Sequence, residues 1–327
     1  MIPPILSICI PTFNRSGYLG KCIENIIQSL ISEKENIEII ISDNASGDDT
    51  QSVVSGYQKR FPGIRYYRNE QNVYDKNFFL AAGRANGKYL WIIGDDDRLE
   101  KDAIPEIFKK IRLGYDLIIV NHSIWVDNFT LEVKSRVLLI NNDKIFTDHN
   151  ALLSFLGPRT GFISSVIINR RSFLRIGPDE YEHLLPTGFS FMYSVYSSFI
   201  GNGSAYLIAR PLIKQTGTLL MTEPDHWYNV FAKGSALAFQ NLKKRGYSRR
   251  AIYTAKKRVL RDYILHDIIF RKRNNGDLKG NFKTIYSYYN NQWFFWLVIV
   301  PAFYSPRALM KCFTNLYYNL FRKYKYL

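Results

Sequence analysis

The sequence predicts an α/β fold in which a mostly parallel central sheet is flanked by helices and followed by a helical C-terminal extension. The first observation is a continuous apolar run at residues 89–93, which is typical of a parallel strand covered on both faces. The second is that such runs alternate with helical patterns as far as residue 121, the order expected of a doubly wound sheet. The third is that apolar residues recur at helical spacing after residue 222.

The predicted elements follow one another in a regular order through the first half of the chain. The strands are expected at residues 5–10, 37–41, 64–67, 89–93 and 115–120, and the helices at 19–30, 53–61, 78–85 and 102–111. Beyond these, the patterns predict an edge strand at 133–140, a helix at 151–156, a strand at 162–169 and a helix at 170–177. We therefore expect one domain at 1–222, with halves 1–121 and 122–222, and a C-terminal region at 223–327.

Polar side chains follow four of the predicted strands at the point where each strand ends. They are Thr12 and Asn14, Asp43 and Asn44, Asn69 and Asn72, and Asp95, Asp96 and Asp97. The carboxyl ends of parallel strands meet at one edge of a sheet, where ligands bind in open α/β folds. Adjacent carboxylates at such an edge suit Mg²⁺ held against a diphosphate. Because the chain lacks both glycine-rich phosphate-binding fingerprints, we expect phosphates to be held by a metal ion and side chains.

The three aspartates also have a simpler interpretation. They could form an Asp-rich turn that caps the helix expected to begin at Asp102, because Asp is a preferred residue at helix N-termini. That interpretation needs no ligand at this edge of the sheet. The local sequence is compatible with either arrangement, so both stay open at this point.

Three motifs in the first half of the chain resemble those of a known family. They are LSICIPTFNR at residues 6–15, IIISDNAS at residues 39–46 and WIIGDDD at residues 91–97. In this order and spacing they resemble the family 2 glycosyltransferases, whose fold is GT-A, the nucleotide-diphospho-sugar transferase fold. Residues 42–46 and 72–78 further resemble the abequosyltransferase-like branch, which acts in bacterial O-antigen and surface-polysaccharide assembly.

The resemblance implies a hexosyl- or deoxyhexosyltransferase in O-antigen or lipopolysaccharide biosynthesis. Its donor would be a CDP-, UDP-, dTDP- or GDP-sugar, and its acceptor an undecaprenyl-type lipid-linked glycan. The transfer would be inverting and would depend on a divalent metal ion, Mn²⁺ or Mg²⁺. The ion would act as a Lewis acid that neutralises the diphosphate leaving group.

The resemblance also assigns the residues that would bind the donor and the metal ion. The nucleotide-sugar site would comprise Pro11, Thr12, Asn14, Arg15, Asp43, Asn44, Asn72, Lys76, Asp95 and Asp96, with Arg84 as a further phosphate contact. The family's DXD motif usually begins with an aspartate where Gly94 stands here, so the acidic residues are shifted by one. We accordingly expect Asp97 to be the principal metal ligand, with Asp95 and a late histidine, His226, as further ligands. A histidine beside an aromatic residue is, however, more often packed than ligating.

A catalytic base is expected from the second half of the domain, because an inverting transfer must deprotonate the acceptor hydroxyl. The family's usual Glu-Asp pair is missing. The nearby substitutes are Glu182, which we favour, Glu180 and Asp179, and His183 is a possible phosphate or metal contact. A solvated acidic loop without catalytic function is the alternative.

Composition bears on the partners of the chain. The formal charge of +16 implies an anionic partner, and residues 233–283 contain fifteen Lys or Arg against three acidic residues. Aromatic residues are interleaved with these cations, and no stretch reaches the roughly 20 apolar residues of a membrane span. This pattern favours a cytoplasmic protein that lies peripherally on the anionic inner face of the bacterial cytoplasmic membrane. The alternative is a helical appendage that packs on the catalytic domain and leaves its basic face in water.

Two other classes of protein fit parts of the sequence. A nucleic-acid-binding protein would fit the charge and the aromatic residues, but it would need a recognised binding module, and none is present. A nucleotidyltransferase that makes an activated sugar would need a glycine-rich basic loop after the first strand, where this chain has residues 11–15. We therefore expect no nucleic-acid partner.

Overall fold

The structure is a computed structural model that describes residues 3–30, 36–201, 203–217, 228–274, 276–278, 281–307 and 309. The chain forms two compact units. The sheet unit comprises Met1–His149, Thr160–Pro186 and Ser194–Thr218, and the helical unit comprises Asn150–Arg159, Thr187–Tyr193 and Leu219–Leu327. The predicted boundary at residue 222 falls outside the described residues and stays a prediction.

A single mixed sheet organises the sheet unit. Its strands are β1 Leu6–Thr12, β2 Ile37–Asp43, β3 Ile64–Arg68, β4 Tyr89–Ile92, β5 Arg98–Leu99, β6 Leu117–Val126, β7 Leu131–Lys134, β8 Lys144–Phe146, β9 Val166–Asn169 and β10 Ala205–Thr216. The order is β3-β2-β1-β4-β9-β6-β10-β5, with β7 beside β6 and β8 beside β10. The first four are parallel, as are β6 and β10, whereas the other pairs are antiparallel. The predicted parallel half of the sheet is therefore confirmed, and the chain completes it with antiparallel strands.

Helices alternate with the first strands, as the sequence predicts. The described helices are α1 Ser16–Ser29, α2 Thr50–Arg60, α3 Lys76–Arg84, α4 Ala103–Arg112, α5 His149–Leu156, α6 Arg170–Leu174, α7 Pro178–Tyr181, α8 Ser190–Ser198, α9 Ser235–Lys244, α10 Arg249–Val259, α11 Leu265–Arg273, α12 Asn281–Tyr289 and α13 Val300–Tyr304. Helix α1 buries Leu19, Cys22, Ile23 and Ile26 at helical spacing.

The central position of β1 explains why the site forms where it does. Strands β2 and β4 pair with it on either side, and its residues Ile8 and Ile10 are fully buried. The register sets Thr12 beside Asp43 at the carboxyl ends of β1 and β2. A backbone hydrogen bond of 2.9 Å from Ile93 to Cys9 keeps the end of β4 at the same level. Three strand ends with polar residues therefore meet at one edge.

The predicted edge strand at 133–140 is shorter in the structure. The strand that pairs with β6 ends at Lys134, and beyond it the Val137 amide donates to the His122 carbonyl of β6 at 2.8 Å. Farther along, the Asn121 side chain donates to the Leu138 carbonyl at 2.8 Å and accepts from the Leu138 amide at 2.9 Å. An amide side chain thus satisfies the backbone groups that a strand ladder would otherwise pair.

The helical unit has its own apolar core. Phe239, Leu260, Ile264, Tyr289 and Phe295 are fully buried in it. Three π-helical turns, Asn229–Gly234, Leu260–Ile264 and Phe295–Ile299, lead into α9, α11 and α13. The predicted helical C-terminal region is therefore confirmed. In the part of the chain that the structure describes, no helix has the length and apolarity to cross a bilayer.

Candidate functional site

The acidic motif lies at the carboxyl edge of the sheet, between β4 and β5. Asp95 and Asp97 are buried, and the Asp96 side chain is 22% exposed. The motif does not cap a helix, because β5 separates it from α4. Asp102, which precedes α4, makes no capping hydrogen bond with its side chain. The interpretation of these aspartates as a helix cap is therefore wrong.

Arg15 bridges two of the three carboxylates. Its Nη1 lies 2.9 Å from Asp95 Oδ1, and its Nη2 donates to Asp96 Oδ2 at 2.6 Å. Thr12 Oγ1 donates to the other oxygen of Asp95 at 2.7 Å. The structure thus brings Thr12, Arg15, Asp95 and Asp96 together, as the sequence predicts. Half-buried Pro11 lies next to Thr12 in β1.

Asp97 is held by two residues, Ser164 and Thr216, that belong to none of the three motifs. Ser164 Oγ donates to Asp97 Oδ2 at 2.6 Å, and the Thr216 amide donates to Oδ1 at 3.2 Å. Ser164 is itself fixed, because its oxygens accept from the Gly94 amide at 2.9 Å and from Trp91 Nε1 at 2.7 Å. No local pattern marks a serine 67 residues from its partner. Asp97 therefore has both carboxylate oxygens engaged by protein groups.

Burial raises the pKa values of two residues of the acidic motif. Loss of solvation raises the pKa of Asp97 to about 7, and the neighbouring Asp96 adds to the rise. Loss of solvation also raises the pKa of Asp95 to about 6, although Arg15 opposes it. Arg15 pairs with two of the three carboxylates, and burial disfavours the charged forms of Asp95 and Asp97, a cost that a bound cation would offset.

These residues fit a divalent cation. All of the donors are carboxylate oxygens, the hard ligands that Mg²⁺ and Mn²⁺ prefer. Among the residues that the structure describes, no three acidic, histidine or cysteine side chains form a metal-binding group. One or two carboxylates with a diphosphate and water would complete such a site, which is the usual mode of Mg²⁺ binding. His226, the predicted late ligand, lies outside the described residues.

The loop after β2 lies beside the acidic motif and is closely tied to the loop after β1. The Asn14 amide donates to Ser46 Oγ at 2.9 Å, and Asn14 Oδ1 accepts from the Gly47 amide at 2.7 Å. Asn14 and Ala45 both have positive φ, 51° and 67°. Such strained backbone persists only where its surroundings hold it, and it is frequent at ligand sites.

Asp43 holds this loop through a hydrogen bond to its backbone. It is 1% exposed, accepts from the Ser46 amide at 2.9 Å and accepts from the Tyr66 hydroxyl at 2.6 Å. Arg68 Nε lies 3.7 Å from the same carboxylate. Tyr66 and Arg68 follow the β3 pattern and gave no separate signal in the sequence. The predicted contact of Asp43 with a nucleotide base stays a prediction.

A buried network of amides connects the ends of β2 and β3 to the start of α3. Asn44 Nδ2 donates to Asn72 Oδ1 at 2.6 Å, and Asn44 Oδ1 accepts from Asn69 Nδ2 at 3.0 Å. Arg84 donates to Ser42 Oγ and to Asn69 Oδ1, each at 2.7 Å, and burial lowers its pKa. Asn44 and Asn72 are thus brought together as predicted, and Arg84 braces the network that supports them.

The predicted catalytic carboxylates lie on and after α7. Glu182 Oε1 lies 2.8 Å from Lys76 Nζ, with 47% and 41% of the two side chains exposed. The rings of Phe79 and Tyr181 stack at 3.6 Å between centroids, which holds α7 against α3. Asp179 and His183 are exposed, and Glu180 is half-buried. The favoured base, Glu182, therefore pairs with Lys76, one of the residues predicted to bind the donor. The catalytic assignments stay predictions.

Comparisons with known proteins agree with this geometry. The family model described as Glycosyl transferase family 2 matches residues 7–175. Abequosyltransferase RfbV of Salmonella typhimurium is 30% identical over 225 residues, which cover 64% of this chain and 66% of that protein. A Campylobacter jejuni protein, GalNAc(5)-diNAcBac-PP-undecaprenol beta-1,3-glucosyltransferase, is 36% identical over 114 residues, which cover 34% of this chain and 36% of that protein. The chain thus spans about two thirds of the first relative and about a third of the second.

A solved structure shows the same fold. S. aureus TarS 1-349, crystallised in complex with UDP, matches with a TM-score of 0.59 and 15% identity, covering 84% of this chain and 76% of that chain. At this identity the likeness bears on the fold alone, and it confirms the predicted GT-A architecture. Since the family model covers more than half of the chain and spans all three motifs apart from Leu6, the chain belongs to glycosyltransferase family 2.

Proposed function

We propose that this chain transfers a sugar from a nucleotide-sugar donor to a lipid-linked oligosaccharide acceptor in surface-polysaccharide assembly. The observation that carries the proposal is the acidic motif at the sheet edge, held by Thr12 and Arg15 on one side and by Ser164 on the other. In the transfer, the acceptor oxygen would bond to the anomeric carbon as the bond from that carbon to the diphosphate breaks. The nucleoside diphosphate would leave with the electron pair, and a base would take the acceptor proton.

A divalent cation, Mn²⁺ or Mg²⁺, completes the proposed donor site. Glycosyltransferases of family 2 generally depend on such an ion, and the acidic motif offers three carboxylates, two of which pair with Arg15. When bound, the ion would supply Lewis-acid neutralisation of the leaving diphosphate. Asp96, the most exposed of the three carboxylates, would contribute an oxygen ligand to the ion, whereas Asp95 and Asp97 are buried.

The remaining donor contacts follow from the loops on the same edge. The nucleotide and its phosphates would be bound by Thr12, Arg15 and the hydrogen-bonded loops of Asn14 and Ser46. The pair of Asn44 and Asn72 would line the same site. TarS, whose fold this chain shares, has been crystallised with UDP, a nucleoside diphosphate. The proposal leaves CDP-, UDP-, dTDP- and GDP-sugars as candidate donors.

The proposed acceptor rests on the relatives. One is named as an abequosyltransferase, and another acts on a PP-undecaprenol-linked glycan. A membrane-anchored acceptor of this kind would require the chain to work at an anionic membrane surface. We accordingly propose a peripheral position on the inner face of the bacterial cytoplasmic membrane and an inverting transfer.

The test is a panel of UDP-, CDP-, GDP- and dTDP-sugars assayed for hydrolysis and for transfer to a lipid-linked acceptor. We expect one nucleotide to be preferred and chelation of the divalent cation to abolish both reactions. Restoration by Mn²⁺ or Mg²⁺ should follow. Turnover of no donor in the panel would contradict the proposal, and turnover that survives chelation would contradict the metal site.

Arg15→Gln should separate metal binding from donor binding. Arg15 forms ion pairs with Asp95 and Asp96, so it competes with a metal ion for their oxygens. Its removal should therefore strengthen Mn²⁺ binding to the nucleotide-free protein about three- to tenfold. The donor KM should rise about tenfold, because the phosphates lose a guanidinium. Calorimetric titration with Mn²⁺ and steady-state kinetics measure the two effects. Arg15→Lys is the matched control, because it keeps the charge and loses the fork; a weaker Mn²⁺ affinity in Arg15→Gln would contradict this role.

A further inference from the structure

Several large apolar side chains lie exposed on the helical unit, and the five between residues 286 and 304 form what we term the aromatic ridge. Its members are Tyr286, 43% exposed, Trp293 and Trp296, each 49% exposed, Leu297, 70% exposed, and Tyr304, 65% exposed. Scattered exposed apolar residues need no explanation, whereas a contiguous group points to an interaction surface.

The ridge is contiguous in space as well as in sequence. The ring centroids of Tyr286 and Trp296 lie 6.1 Å apart, and Phe282 lies 6.3 Å from Tyr286 and 5.1 Å from Tyr304. Within residues 293–304 the exposed members recur at helical spacing. The opposite face of the same segment carries the buried residues of the unit core, Phe295, Ile299 and Ala302. One face of this segment therefore packs in the core, and the other is exposed among the residues that the structure describes.

The charged residues that flank the ridge along the sequence have one sign. Residues 284–306 contain no charged side chain, and residues 278–327 contain seven Lys or Arg and no Asp or Glu. Lys257 Nζ lies 4.5 Å from the centroid of the Trp293 ring. Lys283 precedes Tyr286 by three residues and Arg307 follows Tyr304 by three, so basic residues border the ridge at both ends. The partner must therefore be apolar at its centre and anionic at its rim.

A lipid surface has this chemistry. Trp and Tyr favour the boundary between hydrocarbon and water, and Lys or Arg beside them gain from anionic headgroups. Trp296 Nε1 already donates to the Asn290 carbonyl at 2.7 Å, so its indole can enter an apolar layer without an unpaired N–H. A nucleic acid would match the cations, but it offers no apolar layer for Leu297.

We propose that the aromatic ridge inserts into the headgroup region of an anionic bilayer while Lys257, Lys283 and Arg307 bind lipid phosphates around it. The segment lies in the plane of the membrane and does not cross it. This inference deepens the proposed function by naming the surface that would bring the enzyme to its lipid-linked acceptor. It rests on that function only for its purpose, because lipid binding is measured without any sugar transfer.

The experiment compares two triple variants of the full chain. Trp293→Ser, Trp296→Ser and Leu297→Ser together remove the centre of the ridge. The matched control replaces Leu131, Leu139 and Ile145 by Ser, because these are 55%, 48% and 58% exposed in the sheet unit. Flotation with phosphatidylcholine vesicles containing about 30% phosphatidylglycerol measures binding at low and high salt. We expect the ridge variant to bind at least about tenfold more weakly and the control to bind like the wild type.

Two further measurements fix the mode of binding. In the wild type, lipids brominated near the headgroup should quench tryptophan fluorescence more than lipids brominated deep in the chain. Gln substitution of Lys257, Lys283 and Arg307 should lower binding to anionic vesicles and leave the weak binding to neutral vesicles unchanged. Equal vesicle binding by the ridge variant and the control would overturn the proposal. So would a wild-type dimer that the ridge variant loses without any change in vesicle binding, because the ridge would then be covered by a second copy.

The same variants keep this inference apart from the transferase itself. Unfolding temperature and circular dichroism establish that the ridge variant is folded. Donor hydrolysis should be equal in the ridge variant and the wild type, whereas transfer to a vesicle-borne acceptor should fall with vesicle binding. If the wild type hydrolyses no donor, the proposed function is contradicted, whereas the inference about lipid binding is unaffected.

Discussion

Asp96→Asn is expected to lower kcat/KM about 10³-fold, corresponding to about 4 kcal/mol of transition-state stabilisation. The Asp96 side chain is 22% exposed, and of the three carboxylates it has the most open access to a ligand. Asp97 is 3% exposed, and its two oxygens accept from Ser164 and from the Thr216 amide. We therefore expect Asp96 to make the metal contact and Asp97 to hold the motif in place.

The Asp97→Asn variant separates this expectation from the assignment that the sequence favours. If Asp97 positions the motif, its variant should keep Mn²⁺ affinity within about threefold and lose about 10- to 100-fold in kcat, whereas Asp96→Asn should lose Mn²⁺ binding. The sequence-based assignment of Asp97 as principal ligand predicts the reverse order. Asp102→Asn is the matched control, because this carboxylate is 55% exposed and pairs with Arg210 at 2.7 Å. It should retain full activity, and calorimetric titration with Mn²⁺ decides between the two assignments.

The parts of the site that the sequence predicts share one property, which is that their signal is local. Each early strand is an apolar run that ends in polar residues, so Thr12, Asp43 and Asp95 can be placed at strand ends from a few neighbouring positions. The rule that carboxyl ends of parallel strands converge then brings them to one edge. The register of Thr12 with Asp43 and the hydrogen bond from Thr12 to Asp95 agree with that inference.

The parts that the sequence does not predict depend on residues far apart in the chain. Ser164 reaches Asp97 across 67 residues, and the Thr216 amide reaches it across 119. Ser164 lies in a 3₁₀ turn, Ile163–Ser165, where the pattern predicted a strand. Neither serine nor a backbone amide carries a sequence signal of its own. The choice between Asp96 and Asp97 depends on these long-range contacts, and for this reason periodicity and motif spacing could not make it.

Substitution of the proposed catalytic base is expected to cause the second large loss of activity. Glu182→Gln is expected to lower kcat about 10³-fold and leave the donor KM unchanged, because a general base contributes about 10²- to 10⁴-fold to the chemical step. Glu182 pairs with Lys76 at 2.8 Å, and the amide would keep the shape of the side chain but lose its basicity. Steady-state kinetics with varied donor and acceptor give the two constants separately. Glu180→Gln and Asp179→Asn, the other candidates on this segment, are expected to retain activity.

Lys76→Met distinguishes catalysis from simple support of the loop. Both partners of the pair are more than a third exposed, so breaking it should cost little stability. If Glu182 is the base, Lys76→Met leaves its carboxylate in place and should keep kcat within about threefold, and the donor KM should rise if Lys76 contacts a donor phosphate. If Glu182 serves only to hold Lys76, the two variants should have the same modest effect on KM and neither should change kcat. A shared, KM-only phenotype would therefore remove Glu182 from the reaction and leave the base to another carboxylate of the sheet unit.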